Sequence, residues 1–370
     1  MADEQRENNE LAEDRPRTQP KHTRGDLQQM QSLPLSAKVA MTKRRIKEWY
    51  DYWDGQVYVS FSGGKDSTVL LHLAREVYPD IEAVFVSTGL EYPEIQKFVK
   101  SFDNVTTLHP KMRFDEVIKK YGYPIISKEV SECVYQGRLA LKNNCEKYPW
   151  RLQILMGTAK DKNGNKSIFN AEKYRPLLYT HFVCGSYCCD IMKKKPVKIY
   201  TKKNRKKPMT AQMACESRLR ERNWLVNGCN GFEMKSPRSN PMSFWTEQDV
   251  LKYIKDFKIP IASVYGNVVF AEEPDQIRLE FEDGLPCGKL CTTGCKRTGC
   301  IFCAFGAHLE KPGDGRFERL KKTHPKQYAY CIGGGEYNED GIWQPSKEGL
   351  GMGHVFDELN KIYGEGFIRY

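Results

Sequence analysis

VYVSFSGGKDSTVLLHLA, residues 57–74, decides how the rest of the chain is read. An apolar run at 57–59 gives way to Gly63-Gly64, and then to Val69, Leu70, Leu73 and Val77 at helical spacing. The pattern is strand, turn, helix. Paired glycines accept positive φ and let the backbone approach a ligand closely. The helix that follows directs its free N–H groups and positive dipole end at the turn. Ser62, Ser67 and Thr68 add hydroxyls, and Lys65 adds a point charge. Ser60, Phe61, Ser62, Gly63, Gly64, Lys65, Asp66, Ser67 and Thr68 therefore read as an anion cradle. Its spacing excludes both G-x-x-x-x-G-K-[ST] and G-x-G-x-x-G.

Working outward, the period alternates. Val39, Ile46, Trp49, Tyr50 and Trp53 predict a helix before the cradle. After it come a strand over 81–87, a helix opened by Pro93, a strand over NVTTLHP, and a helix closed by Gly122. WTEQDVLKYIKDF, beginning at Trp245, predicts a further helix. Strands alternating with helices imply an α/β, doubly wound, mainly parallel sheet. Ligands in such sheets bind at the carboxyl ends of strands, where the cradle lies. Periodicity weakens between 130 and 210, and 284–306 reads as irregular.

The chain has 370 residues, 40% of them apolar, with a net charge of +11. No apolar run approaches the roughly 20 residues needed to span a bilayer, and no apolar signal core opens the chain. A cytoplasmic protein is expected. Residues 1–33 are polar and charged and read as a flexible tail. The expected domains are 34–260 for nucleotide binding, 261–310 as a Cys-rich segment and 311–370 as an extension. KKKPVKIYTKKNRKKP, Lys193–Pro208, carries nine basic residues. It reads either as a solvated loop or hairpin, or as a surface for an anionic partner such as nucleic acid.

The cradle resembles, residue for residue, the S-G-G-x-D-S signature of the PP-loop ATP pyrophosphatases. Further motifs resemble the phosphoadenosine phosphosulfate (PAPS) reductase family within that superfamily. FVSTGLEYPEI (Phe85–Ile95) is similar to its T-G-x-E-x-P-E motif, and CCDIMKKKP (Cys188–Pro196) to its C-C-x-x-x-K-x-x-P segment. ACESRLR (Ala214–Arg220) is similar to the end of G-I-R-A-x-E-S-x-x-R, and PMSFWTEQDVLKYIKDFKIP (Pro241–Pro260) to P-x-x-x-W-T-x-x-D-V. The resemblance implies an adenine-nucleotide site that adds Thr88, Gly89, Glu216, Ser217 and Arg220 to the cradle, with Lys65 and Asp66 as catalytic residues and Mg²⁺ beside the phosphates. Two departures stand out. Met213 occupies the arginine position of G-I-R-A, and no E-C-G-[IL]-H follows. Cys331 is the late cysteine that would have to serve as nucleophile; its surroundings do not match that motif.

Thirteen cysteines in a chain expected to be cytosolic point to metal or chemistry rather than to disulfides. CGKLCTTGCKRTGCIFC places Cys287, Cys291, Cys295, Cys300 and Cys303 within seventeen residues. Thiolates suit zinc or an iron–sulfur cluster, and the uneven spacing leans towards the cluster. The resemblance implies one of two [4Fe–4S] ligand sets. Cys291, Cys295, Cys300 and Cys303 resemble the arrangement of the DNA phosphorothioation enzyme of the superfamily. Cys188, Cys189, Cys300 and Cys303 resemble that of adenylylsulfate reductases. Cys133, Cys145, Cys215 and Cys229 read as packing residues.

Three functions follow. The first is cleavage of ATP to AMP and pyrophosphate, activating an acceptor for sulfur transfer; basic residues 193–207 would suit a nucleic-acid acceptor. The second is reduction of PAPS or adenylylsulfate to sulfite, with a thioredoxin-like reductant. The third is a nucleotide-binding module without turnover.

Overall fold

The computed structural model describes residues 19–271 and 288–370. It divides into two compact units, each assembled from several stretches of chain. The first comprises the described residues up to Phe85, then Pro93–Thr107, then the described residues of Tyr200–Arg297. The second comprises Val86–Tyr92, Leu108–Ile199 and Thr298–Tyr370.

The first unit is built on a six-stranded sheet. Its order is Val105–Leu108, Ala83–Val86, Val57–Ser60, Lys207–Met209, Arg238–Ser239, Asn230–Gly231. Val57–Ser60 pairs in parallel with both of its neighbours, Lys207–Met209 pairs in parallel with Arg238–Ser239, and Arg238–Ser239 pairs antiparallel with Asn230–Gly231. The expected α/β fold with a mainly parallel sheet is therefore present. Val57–Ser60 is buried along 57–59, as a central parallel strand must be. It leads through the glycine pair into helix Lys65–Val77, whose Val69, Leu70, Leu71, Leu73 and Ala74 are at most 1% exposed. Helices Leu35–Tyr52 and Glu247–Asp256 pack against that helix.

Two sequence expectations change here. The basic run is neither loop nor hairpin: 195–204 is a helix, and Lys207–Met209 is an inner strand of the sheet. The charges are accommodated locally. Lys206 pairs with Glu82 at 2.7 Å, and Lys207 lies 4.9 Å over the Trp53 ring. Only Met209 of the strand is fully buried. The expected tail is also shorter than read, since Arg24–Gln31 is a helix; residues 1–18 of that tail lie outside the described residues. A reciprocal cap starts this helix: Thr23 accepts from the Asp26 amide, and Asp26 accepts from the Thr23 amide. Leu27 is buried, and His22 stacks on Trp224 at 4.9 Å.

In the second unit, Ile125–Ile126 pairs in parallel with Ala304–Phe305. Helix Lys128–Lys142 packs against Pro149–Met156, and the C-terminal helices bury Phe317 against Phe356. Gly122 closes helix Phe114–Tyr121 at φ 89°, where a Cβ would lie 2.4 Å from the Val183 carbonyl oxygen. The structure thus supplies order between 130 and 210, where periodicity was weak. No helix among the described residues is long and apolar enough to cross a membrane.

Candidate functional site

The cradle lies in the first unit, between the end of Val57–Ser60 and the start of Lys65–Val77. Gly63 takes φ 72°, and a Cβ there would sit 2.8 Å from methyls of both Ile95 and Val99. Only glycine gives both that turn and that close approach. The hydroxyls organise the loop itself. Ser67 and Thr68 donate to the Gly64 carbonyl at 2.9 and 3.0 Å, and Ser62 and Ser67 share a 3.0 Å hydrogen bond. Ser62 is exposed and its hydroxyl also accepts from the Gly64 amide. Phe61 is a core residue, 1% exposed and packed on Phe102; its backbone belongs to the cradle and its side chain does not. Ser60 ends the strand and is half-buried.

Lys65 is buried, with its Nζ 2.9 Å from Glu247 and 2.9 Å from the Lys296 carbonyl oxygen. A cavity of about 120 Å³ opens beside it, lined by Lys65, Asp66, Met213, Cys215, Glu216, Glu247 and Arg297. One Asp66 oxygen, Oδ1, is buried without a hydrogen-bond partner. Burial pushes the Asp66 carboxyl above its usual range; Glu247 adds to the rise, while Lys65, Arg297 and Arg220 oppose it. Glu216 and Arg220 form an ion pair, and Ser217 caps helix Arg218–Asn227 by accepting from the Arg220 amide. Of the expected nucleotide residues in this unit, Lys65, Asp66 and Glu216 line the cavity. Ser217 and Arg220 stand behind it as supports.

Four cavity residues carry no nucleotide role in the sequence reading: Met213, Cys215, Glu247 and Arg297, the last of which reads there, with Lys296, as a charge offset for an iron–sulfur centre. Cys215 was read as packing, yet it is exposed, as is Cys145; only Cys133 and Cys229 of that group are buried. The signal for Cys215 was its place beside Glu216 in the A-C-E-S motif. Glu247 and Arg297 sit at positions that no motif specifies.

Thr88 and Gly89 belong to the second unit. Thr88 donates its hydroxyl to Glu91 at 2.6 Å, which fixes the turn after the strand. The same unit holds Cys188, Cys189, Cys300 and Cys303. Cys188-Cys189 directly precedes a wide π-type turn, Asp190–Lys194. The Cys300–Cys303 turn is closed by the Cys303 amide on the Cys300 carbonyl at 3.1 Å. The Ile301 amide on the Leu90 carbonyl, at 2.8 Å, and Arg316 on the Cys303 carbonyl, at 2.8 Å, anchor it.

These four thiols lie within electrostatic reach of one another. The hydrogen bond from Cys188, together with Lys128 and Lys193, holds the Cys189 thiol below its usual range, while Cys188 is pushed up. Burial raises Cys300 to about 11 against the pull of Lys193. Cys291 and Cys295 instead belong to the first unit; Cys291 faces Val269 across a strand pair, and Cys295 is buried. Cys287 lies outside the described residues. Among the described residues no group of three or more Cys, His, Asp or Glu is gathered closely enough to hold a metal ion. Cys331 is fully buried beneath Met352, and burial pushes its thiol far up.

Comparison with known proteins agrees with the motifs. An adenosine 5′-phosphosulfate reductase of Staphylococcus epidermidis is 24% identical over 221 residues, covering 58% of this chain and 68% of that protein. One from Bacillus cereus is 30% identical over 95 residues, covering 24% of this chain and 41% of that protein. An uncharacterized protein of Methanocaldococcus jannaschii is 40% identical over 87 residues, covering 21% of each chain. The shared region thus spans about a fifth of that archaeal relative and under half of the Bacillus one. The phosphoadenosine phosphosulfate reductase domain matches residues 56–130 and 139–305, most of the chain. The chain belongs to the phosphoadenosine phosphosulfate reductase domain family.

Proposed function

We propose that this chain binds ATP at the Gly63-Gly64 cradle and cleaves it to AMP and pyrophosphate, activating an acceptor oxygen for sulfur transfer. The observation that carries this reading is the placing of Lys65 and Asp66 together at one cavity on the first turn of the helix after the cradle. Backbone N–H groups at the turn and the Lys65 ammonium would stabilise charge developing on the leaving pyrophosphate. The unpartnered Asp66 Oδ1 fits a cation, and Mg²⁺ bound there would neutralise the phosphates further.

The alternative, sulfonucleotide reduction, is what the names of the Bacillus and Staphylococcus relatives suggest. It requires an accessible thiolate, and a fully buried Cys331 argues against that residue as the source.

For a [4Fe–4S] cluster, which would require the thiols to draw closer together than they stand, we favour Cys188, Cys189, Cys300 and Cys303 over the set with Cys291 and Cys295. All four share one unit, and Lys128 and Lys193 beside them would offset thiolate charge. Such a cluster would supply electron transfer or structural cross-linking. A nucleic-acid acceptor is supported by the exposed Lys198, Lys202, Lys203 and Arg205 on and after helix Lys195–Asn204.

Wild-type protein with ATP, Mg²⁺ and bulk RNA or DNA should form AMP, and Lys65→Ala should not. Full turnover by Lys65→Ala, or sulfite formation from PAPS that Cys331→Ser removes, would contradict the proposal.

A further inference from the structure

We propose that Arg297 is the anion-binding guanidinium of the nucleotide cavity, standing in for the arginine that the A-C-E-S motif lacks. The assignment rests on the nucleotide reading above and names the residue that makes the cavity hospitable to phosphate.

Met213 occupies the motif's arginine position. Its side chain is 2% exposed and lines the cavity, where it offers no charge. Arg297 lines the same cavity from a different part of the sequence, between Cys295 and Cys300.

Charge makes Arg297 necessary. The other cation in the lining is Lys65, and the same lining carries three carboxylates: Asp66, Glu216 and Glu247. Arg220 answers Glu216, but Asp66 and Glu247 still outnumber Lys65. Without Arg297 the lining would repel a polyphosphate at neutral pH.

Availability singles it out as well. Lys65 already contacts Glu247 and the Lys296 carbonyl, and Arg220 is held by Glu216. Arg297 is exposed; it acts on Asp66 electrostatically, and among the described residues its guanidinium is in no hydrogen bond or ion pair like those that hold Lys65 and Arg220. A guanidinium with free donors binds phosphate in bidentate fashion, which a lysine cannot do. The first cation to engage the ligand is therefore Arg297, and Lys65 follows as Glu247 gives way.

The test is isothermal titration of the full chain with Mg²⁺–ATP and, separately, with inorganic pyrophosphate. Arg297→Ala should weaken both about 10- to 100-fold, the range of a hydrogen-bonded charge pair. Arg297→Lys should recover only part of that loss. Met213→Arg placed in the Arg297→Ala background should restore affinity for both ligands. Met213 is buried, so that double variant can fail to fold; the Ala and Lys arms then decide alone, because Arg297 is exposed. Arg297→Ala binding both ligands as tightly as wild type overturns the assignment and leaves the nucleotide reading standing. A wild-type chain that binds neither ligand overturns both.

Discussion

The Lys65 cradle and the Cys300 turn are built in different ways. The cradle is local. Its strand, glycine pair, hydroxyls and helix N-terminus are consecutive, and its internal hydrogen bonds run between neighbours in sequence. The thiol group is assembled from two distant stretches, 188–189 and 300–303, brought into one unit by the fold. A local device keeps its geometry when its neighbours change. A device assembled over distance depends on every element that sets its parts, including the Leu90 and Arg316 anchors of the turn.

The largest effects should separate the two regions outright. Lys65→Ala should lower AMP formation at least about 100-fold, as loss of a main electrostatic contact does, and leave iron content unchanged. Cys300→Ser should do the reverse to iron: metal analysis after anaerobic purification should find it largely lost, whereas Cys291→Ser should retain it. Equal iron loss in Cys291→Ser and Cys300→Ser would break the assignment of thiols to one unit.

A smaller effect probes the cradle's rigidity. Gly63→Ala combines positive φ with contacts to Ile95 and Val99. It should cost about 1–3 kcal/mol in denaturant unfolding. Asp66→Asn should raise the unfolding midpoint at pH 7, because burial raises the Asp66 pKa in the folded state. A raised carboxyl stabilises the fold while protonated and loses that contribution as pH climbs through the folded value. The advantage of Asn should therefore shrink as pH falls through that raised range. The smallest effect lies far from both regions: Thr23→Ala should cost about 1 kcal/mol, read as faster amide exchange confined to helix Arg24–Gln31.

The same contrast explains what the sequence disclosed. The alternation of strand and helix from 57 to 122, the cradle and the helix after Trp245 were legible because each is fixed by periodicity and turn residues within a short window. Lys207–Met209 was illegible: two lysines and a proline read as solvent-exposed chain, and only tertiary partners such as Glu82 and Trp53 make a strand tenable there. Lys38 is a second case. It sits 1% exposed on the inner face of helix Leu35–Tyr52, where a charge looks misplaced until Asp249 is seen 2.6 Å away. Arg297 and Glu247 reach the cavity through such long-range placing, so no local pattern announced them.

AMP is a product common to ATP cleavage and adenylylsulfate reduction, so it cannot decide between them; pyrophosphate and sulfite can. The most direct measurement gives the anaerobically purified chain equal concentrations of ATP and adenylylsulfate, with Mg²⁺, nucleic acid and a dithiol reductant, and quantifies pyrophosphate and sulfite together. The account predicts pyrophosphate equimolar with AMP and no sulfite. Sulfite equimolar with AMP, without pyrophosphate, would contradict it.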